Sequence, residues 1–487
     1  MKTIFSAAWS AALFIALSFA VAAPAKTAAP AKAAAPAKSE KFAFAADPFK
    51  EGDVVCWVGD SITHGGSYHS QVQLFMQTRF PNLNVQYFNC GIGGDRASGI
   101  MGRAFYRLTN DILDHKPTVA TIMLGMNDVD RGAYNDPKVT NAEARKAAAL
   151  AVYETNMQAL IQALQASGAR VILCTPSIYD ESLVQSNETR IVSKGANETL
   201  RLCAEKMKEW SKKYKTQIVD FHFRMQAVNE AWQKESPTNT VVGRDRVHPG
   251  AVGHLVMAYG FLKDTGMTPL VSRIAIDARK PAAAPETSNA SIQNVKTGKD
   301  SLSFDCLEKA LPFPVTDGAK AALARVPFMK DLNQQTLQVK NLAKGKWMLS
   351  IDGSNVGPFT EAQLAAGVNL AELTHTPQYQ QAWSLMKSNE QRNSLAATAR
   401  GLVSLEYNSI ATKGVNPTTD PEKAREIVQK MIDDATKKDP KKVKGDWKLY
   451  LDAEKREKNA NLEKALIEYL EKNRAPKSHA FVLTKAK

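Results

Sequence analysis

Apolar positions change their spacing repeatedly along the first half of the chain. Short apolar runs occur at Val54 to Val58, Val85 to Phe88, Val119 to Leu124, Val171 to Thr175 and, more weakly, Gln217 to Phe221. Between them lie stretches with helical spacing: 68–80, 98–115, about 140–167, 190–214 and 250–263. Pro249 stands at a favourable first-turn position for the last of these. Apolar runs without strict alternation suit strands buried on both faces. Their alternation with helices predicts a parallel sheet with helices on both sides. In such sheets ligands bind beyond the carboxyl ends of the strands.

Past residue 277 the texture changes. Residues 278–300 are rich in Ala, Pro, Ser, Asn and Lys and read as a linker. Trp347 to Ile351, then Asp352-Gly353, then another short apolar run predict a β-hairpin. Thr360 with Gln363 is a capping-box pattern, and Gly367 would close the short helix it opens. Residues 377–405 read as helix, Asp420-Pro421 opens another, and 446–473 reads as one charged helix.

A chain of 487 residues is too long for one ordinary core. Its 44% hydrophobic and 23% charged content is that of a soluble globular protein. The only long apolar run is N-terminal. Lys2, the apolar Ala11 to Phe19 and Ala20-Val21-Ala22 form the three parts of an export signal cleaved before Ala23. The run is shorter than the ~20 residues that span a bilayer, so no transmembrane span is expected after cleavage. The expected location is periplasmic or extracellular. Three APAK units then repeat within 23–41 and cannot bury a core. The predicted organisation is a signal peptide (1–22), a linker (23–41), a catalytic domain (42–275), a second linker (276–300), a mixed α+β extension (301–415) and a charged helical tail (416–487).

Net charge is +14, with +4 in residues 1–41 and +6 in 421–487, where acids are interleaved. That distribution favours solvated faces over a nucleic-acid surface, and no nucleic acid is expected as partner. Five cysteines, an odd number without C-x-x-C spacing, argue against a disulfide framework or a zinc site. No metal-ligand spacing stands out, and no metal is expected.

Four short motifs follow in order, each after an apolar run or before the last helix: Gly59-Asp60-Ser61, Gly91-Ile92-Gly93-Gly94-Asp95, Gly125-Met126-Asn127-Asp128 and Asp245-Arg246-Val247-His248-Pro249. All four fall at one edge of the predicted sheet. Ester cleavage needs a nucleophile, a base, a group orienting the base, and oxyanion donors. Ser61 is the candidate nucleophile and His248 the base. Asp245, three residues earlier, is placed to fix the imidazole tautomer. Ser61 N–H, Gly94 N–H and the Asn127 amide are candidate oxyanion donors, Gly94 being chosen because a residue without Cβ admits close approach. Asp60, His64 and Asp128 are candidate pocket-lining residues. Each motif alone has a commonplace reading as a turn, a cap or a surface pair. The argument is their joint, ordered occurrence.

These blocks resemble those of the SGNH hydrolases, also called GDSL esterases and lipases, over residues 53–264. The four name-giving residues fall on Ser61, Gly94, Asn127 and His248. Longer stretches, GDSITHGGSYHSQVQLFMQTRFP, FNCGIGGD and KPTVATIMLGMND, resemble an exported bacterial subgroup. IDGSNVGPFTEAQLAAGVNLAEL resembles the C-terminal extension such members carry. The resemblance implies a flavodoxin-like three-layer α/β/α fold with a five-stranded parallel sheet, and cleavage of acyl esters without a cofactor. Export, a basic surface and the lack of an extended apolar lid favour short or acetyl groups on extracellular glycans, with acetylated polysaccharide the expected partner. A lysophospholipase- or lipase-like esterase remains open, as does a non-catalytic glycan- or cell-wall-binding protein. Nothing in residues 301–487 names a partner.

Overall fold

The computed structural model describes residues 48–486 except 103–106, 136–138, 187–190 and 280–284. The expected signal peptide and first linker lie outside the described residues. The central sheet comprises β1 (Val54–Gly59), β2 (Gln86–Gly91), β3 (Val119–Met123), β4 (Arg170–Cys174) and β5 (Gln217–Val219). Its order is β2-β1-β3-β4-β5, with every pairing parallel. This is the flavodoxin-like strand order.

Seven helices flank it: α1 (Ser61–Gly65), α2 (Ser67–Arg79), α3 (Ala97–Met101), α4 (Ala142–Ala166), α5 (Ala196–Tyr214), α6 (His222–Gln233) and α7 (Ala251–Asp264). Strand geometry sends alternate side chains to opposite faces. Accordingly Val55 and Trp57 join a core with Phe75, Leu255 and Phe261, whereas Cys56 and Val58 join another with Tyr153, Leu160 and Leu200. Two cores on one sheet give the expected three layers.

Two helices depart from expectation. The stretch 98–115 does not form one helix: α3 ends at Gly102, whose backbone is extended, Leu108–Ile112 form one wide π-helical turn and Leu113–His115 a tight 3₁₀ turn. Helix α5 starts at Ala196 rather than 190, after Gly195 with a φ of 91°. Helix α6 was not foreseen.

The rest of the chain builds two further sheets. Their strands are β6 (Leu270–Asp277), β7 (Glu286–Ser288), β8 (Ala290–Gly298), β9 (Ser301–Glu308), β10 (Gln334–Lys340), β11 (Lys346–Ile351), β12 (Ser354–Thr360), β13 (Val368–Asn369) and β14 (Ser478–Lys485). The orders are β13-β10-β6-β7 and β12-β11-β14-β9-β8. Ile274, Ile276, Leu302, Phe304, Leu337, Val339, Leu349 and Phe481 share one core. Helices α8 (Phe328–Leu332), α9 (Glu361–Ala366), α10 (Pro377–Leu405), α11 (Pro421–Lys438), α12 (Gly445–Leu451) and α13 (Ala453–Asn473) complete the chain.

The hairpin and capping box stand where the spacing placed them. Asp352 and Gly353 have φ of 50° and 78°, as a tight hairpin turn requires, and Thr360 and Gln363 cap α9 reciprocally. The second linker is a correction: 276–300 contains β7 and β8. Strand β8 lies at a sheet edge with most residues exposed, so its polar composition hid it. The charged tail is also corrected. Asp452 separates α12 from α13, and the chain ends in β14, paired antiparallel to both β9 and β11.

This second half is continuous with the first. Leu311, Phe313, Phe328 and Leu332, with Ala382, Leu385 and Met386 of α10, share the core of α2 and α7. All five cysteines are free and buried. Among the described residues no helix is long and apolar enough to cross a membrane, and no His, Cys, Asp and Glu group could hold a metal ion.

Candidate active site

Strand β1 ends at Gly59, and Asp60 caps α1 by accepting the Ile62 N–H at 3.0 Å. Ser61 is therefore the first residue of a helix. Its N–H belongs to the first turn, whose donors have no intrahelical partner. Its Oγ lies 2.7 Å from His248 Nε2.

His248 precedes α7 on a turn of unusual shape. Arg246 holds a φ of 67°, a conformation costly for a side chain with Cβ. Its buried guanidinium donates to the Asp180 carbonyl at 2.8 Å, and the Asp180 N–H donates to the Arg246 carbonyl at 3.0 Å. These bonds hold the turn. Asp245 then accepts the N–H of Val247 and of His248 on Oδ1, while Oδ2 lies 2.6 Å from His248 Nδ1. Burial alone would raise the Asp245 carboxyl. The hydrogen bonds from the His248 ring and the two backbone N–H groups outweigh it and keep Asp245 below the ordinary range. An ionised Asp245 accepting Nδ1–H leaves the Nε2 lone pair for the Ser61 hydroxyl.

The cleft over this pair has a volume of about 270 Å³. Asn127, Arg131, Tyr179, Ile191 and Arg244 wall it along with the three residues above. Asn127 donates one Nδ2 hydrogen to the Asp95 carbonyl at 3.1 Å, which leaves the second amide hydrogen for a ligand. Gly94 lies on the loop after β2, exposed, with a φ of 80°. No hydrogen bond engages its N–H among the described residues. A Cβ there would meet no protein atom within 4 Å, so within the protein itself this glycine serves the left-handed backbone. Close approach matters instead at Gly91, where a Cβ would fall 2.2 Å from the His64 nitrogen.

Three residues expected to line the pocket do not line this cleft. Asp60 is the buried cap of α1, its carboxyl raised to about 6 by burial. Asp128 is buried and accepts the Ala97 N–H at 2.9 Å, its carboxyl raised to about 7 by burial. His64 is a tie: its Nδ1 accepts the Gly93 N–H at 3.2 Å and its Nε2 lies 2.9 Å from the Ala397 carbonyl of α10. A short side chain that can hydrogen-bond backbone is spent locally when the turn offers donors.

Sequence reasoning missed Arg131, Tyr179 and Arg244, which lie outside the four motifs, and gave no role to Arg246, which lies within the last of them. It also missed Arg107, whose Nε donates to Asp95 Oδ2 at 2.7 Å beneath the Gly94 loop.

A model of the GDSL-like lipase/acylhydrolase family matches residues 57–256, which include all four motifs. An acetylxylan esterase from Geobacillus stearothermophilus is 27% identical over 237 residues, 46% of this chain and 98% of that one. A solved gut microbial diltiazem-metabolizing enzyme is 32% identical, with a TM-score of 0.82, covering 91% of this chain and 99% of that one. That match takes in the β-sandwich and terminal helices as well as the parallel sheet. The chain belongs to the GDSL-like lipase/acylhydrolase family, the SGNH hydrolases, and is a hydrolase of ester bonds.

Proposed function

We propose that this enzyme removes short acyl groups, acetyl above all, from carbohydrate esters by a two-step acyl transfer. His248 Nε2 takes the proton of Ser61 Oγ as that oxygen attacks the ester carbonyl. Asp245 holds the ring and stabilises the imidazolium that forms. Ser61 N–H, Gly94 N–H and the free Asn127 amide hydrogen receive the oxyanion, whose charge peaks in the transition state. The alcohol leaves with the proton from His248. Water then attacks the acyl-enzyme by the same base, releasing the acid and restoring Ser61.

The observation that carries this reading is the unbroken chain from Ser61 Oγ through both ring nitrogens of His248 to Asp245, at 2.7 and 2.6 Å. The substrate class draws on the cleft. It is small, and polar or charged groups from Asn127, Arg131, Arg244 and Asp245 make up much of its wall. A long acyl chain would find little apolar surface to replace water there. The acetylxylan esterase named above points to the same class. So does the N-terminal segment 1–22, whose export pattern would put the enzyme among extracellular glycans.

The deciding experiment compares initial rates on acetyl and palmitoyl esters for wild type and Ser61→Ala, with a fluorophosphonate label on Ser61. Wild type is expected to favour acetyl, Ser61→Ala to lose about a million-fold in kcat, and only wild type to label. A preference for palmitoyl overturns the substrate class. An active Ser61→Ala overturns the mechanism, and an unlabelled, inactive wild type makes the protein a binder.

A further inference from the structure

Strand β2 is the edge of the parallel sheet, and the loop bearing Gly94 leaves from its end. An edge strand has backbone groups with no neighbouring strand to pair them. At Gly91 those groups are met by side chains. Its N–H donates to Asn89 Oδ1 at 3.0 Å, and its carbonyl accepts from Arg400 Nε at 3.1 Å. Arg400 lies near the end of α10, far from Gly91 in sequence.

The same guanidinium grips Asp111 through both of its other nitrogens, at 2.5 and 2.7 Å. Asp111 also accepts from Arg107, and Arg107 continues to Asp95 and to the Cys90 carbonyl. The result is a ladder of alternating charge, Arg400–Asp111–Arg107–Asp95, with side chains 1–9% exposed. Burial would raise Asp111; Arg400 and then Arg107 outweigh it and hold the carboxyl low. The ladder ends on the residue beside Gly94, whose carbonyl receives the Asn127 amide.

Two more bonds reach the same loop from the C-terminal half. The Ala397 carbonyl of α10 faces His64 Nε2, and His64 Nδ1 accepts the Gly93 N–H. One ring therefore needs its proton on Nε2 and its lone pair on Nδ1; burial lowers its pKa and keeps it neutral. Tyr407 donates to the Gly99 carbonyl in α3, just after the loop. Gly91 and Gly99 are thus tied directly to the C-terminal half, and Gly93 and Asp95 through His64 and the ladder.

We infer that α10 sets the geometry of the oxyanion loop, with Arg400 and His64 as positioning residues for Gly94 and Asn127. This rests on the reading of those two residues as oxyanion donors. Neither Arg400 nor His64 touches the cleft, so substrate binding in the ground state does not depend on them. Hydrogen bonds to the oxyanion do, because a displacement of about 1 Å is worth up to ~100-fold in rate.

The test uses the full chain with Arg400→Met, Arg400→Lys, His64→Leu and His64→Gln. Active serines are counted by fluorophosphonate titration, so that kcat refers to folded molecules. Arg400→Met and His64→Leu are expected to lower kcat on para-nitrophenyl acetate by about 10- to 100-fold with KM within about twofold. A boronic acid, which mimics the tetrahedral oxyanion, should bind more weakly by the same factor. His64→Gln keeps one donor and one acceptor and should recover part of the loss. Arg400→Lys keeps the charge facing Asp111 but not the fork, and should fall between. Should Arg400→Met fail to fold, the His64 pair carries the comparison alone. Variants with full serine titre and unchanged kcat and boronate affinity overturn the inference. A loss of serine titre with unchanged kcat per site makes α10 a structural support only. Activity in Ser61→Ala would instead remove the mechanism beneath it.

Discussion

The parallel sheet and the C-terminal β-sandwich bury their strands in different ways, and the difference separates chemistry from scaffold. Strand β3 is buried at all five positions, because helices cover both faces. Strand β11 alternates buried residues with exposed or half-buried ones, because only one face meets the partner sheet. A doubly covered sheet keeps its strand ends for loops, and loops hold side chains above a rigid base. Ser61, Asn127 and the Gly94 loop stand on such ends. In the sandwich, the described residues hold no comparable set of nucleophile, base and acid. The C-terminal half reaches the site indirectly, through α10, which packs on α2 and α7 rather than in the sandwich core.

That contrast can be broken or sharpened by substitution. Asp245→Asn should have the largest effect, about 10⁴-fold in kcat, because the wrong imidazole tautomer would face Ser61. Thermal stability should change little, since Asp245 is partly exposed on the turn. A kcat within tenfold of wild type would deprive the carboxylate of its role.

Leu349→Ala should show the converse. Leu349 is fully buried in the sandwich core, and its truncation should cost about 2–5 kcal/mol by lost burial and a cavity. Urea denaturation would measure it, while kcat per titrated serine should stay unchanged. A fall in kcat per titrated serine would mean that the sandwich core, and not only α10, sets the site.

The smallest effect concerns acid. His222 is buried in the α/β layer, and burial lowers its pKa to about 4. The unfolded imidazole titrates near 6.5, so the unfolded chain binds more protons between those values. The His222 contribution is complete above pH ~6.5 and is lost as pH falls towards 4. His222→Phe should therefore gain stability relative to wild type across that window, by up to about 1.4 kcal/mol per pH unit. A difference that does not vary with pH would show that folding does not lower the His222 pKa. Asp60 and Asp128, raised by burial to about 6 and about 7, act in the opposite direction, so the variant-minus-wild-type difference is the quantity to follow.

The legibility of the two regions followed the same physics. Doubly buried strands such as Val119–Met123 stand out as apolar runs, and three of the four motifs follow an apolar run. Around the sandwich only the Asp352-Gly353 hairpin and the capped helix α9 were read, because turn and cap chemistry are local. Strand β8 runs Ala-Ser-Ile-Gln-Asn-Val-Lys-Thr-Gly, an exposed edge whose pairing with β9 supplies what its composition does not. In α10, Asn389, Arg392, Asn393 and Arg400 are buried, in phase with Leu385 and Met386. Polar residues on an apolar stripe were the available sign that this helix faces backbone and charge.

The amino-acid sequence by itself determined the parallel sheet, the order of the four motifs and the types of group that meet at one sheet edge. Hydrophobic period, glycine placement and cap residues are local, so they can be read without the fold. Only the tertiary structure decided which residues work at a distance. Asp60, His64 and Asp128 left the pocket for caps and ties, Arg246 took a left-handed turn under the His248 segment, and Arg400 came to rest on Gly91. Those outcomes depend on which backbone groups an edge strand and a turn leave unpaired, and on what else packs close enough to satisfy them.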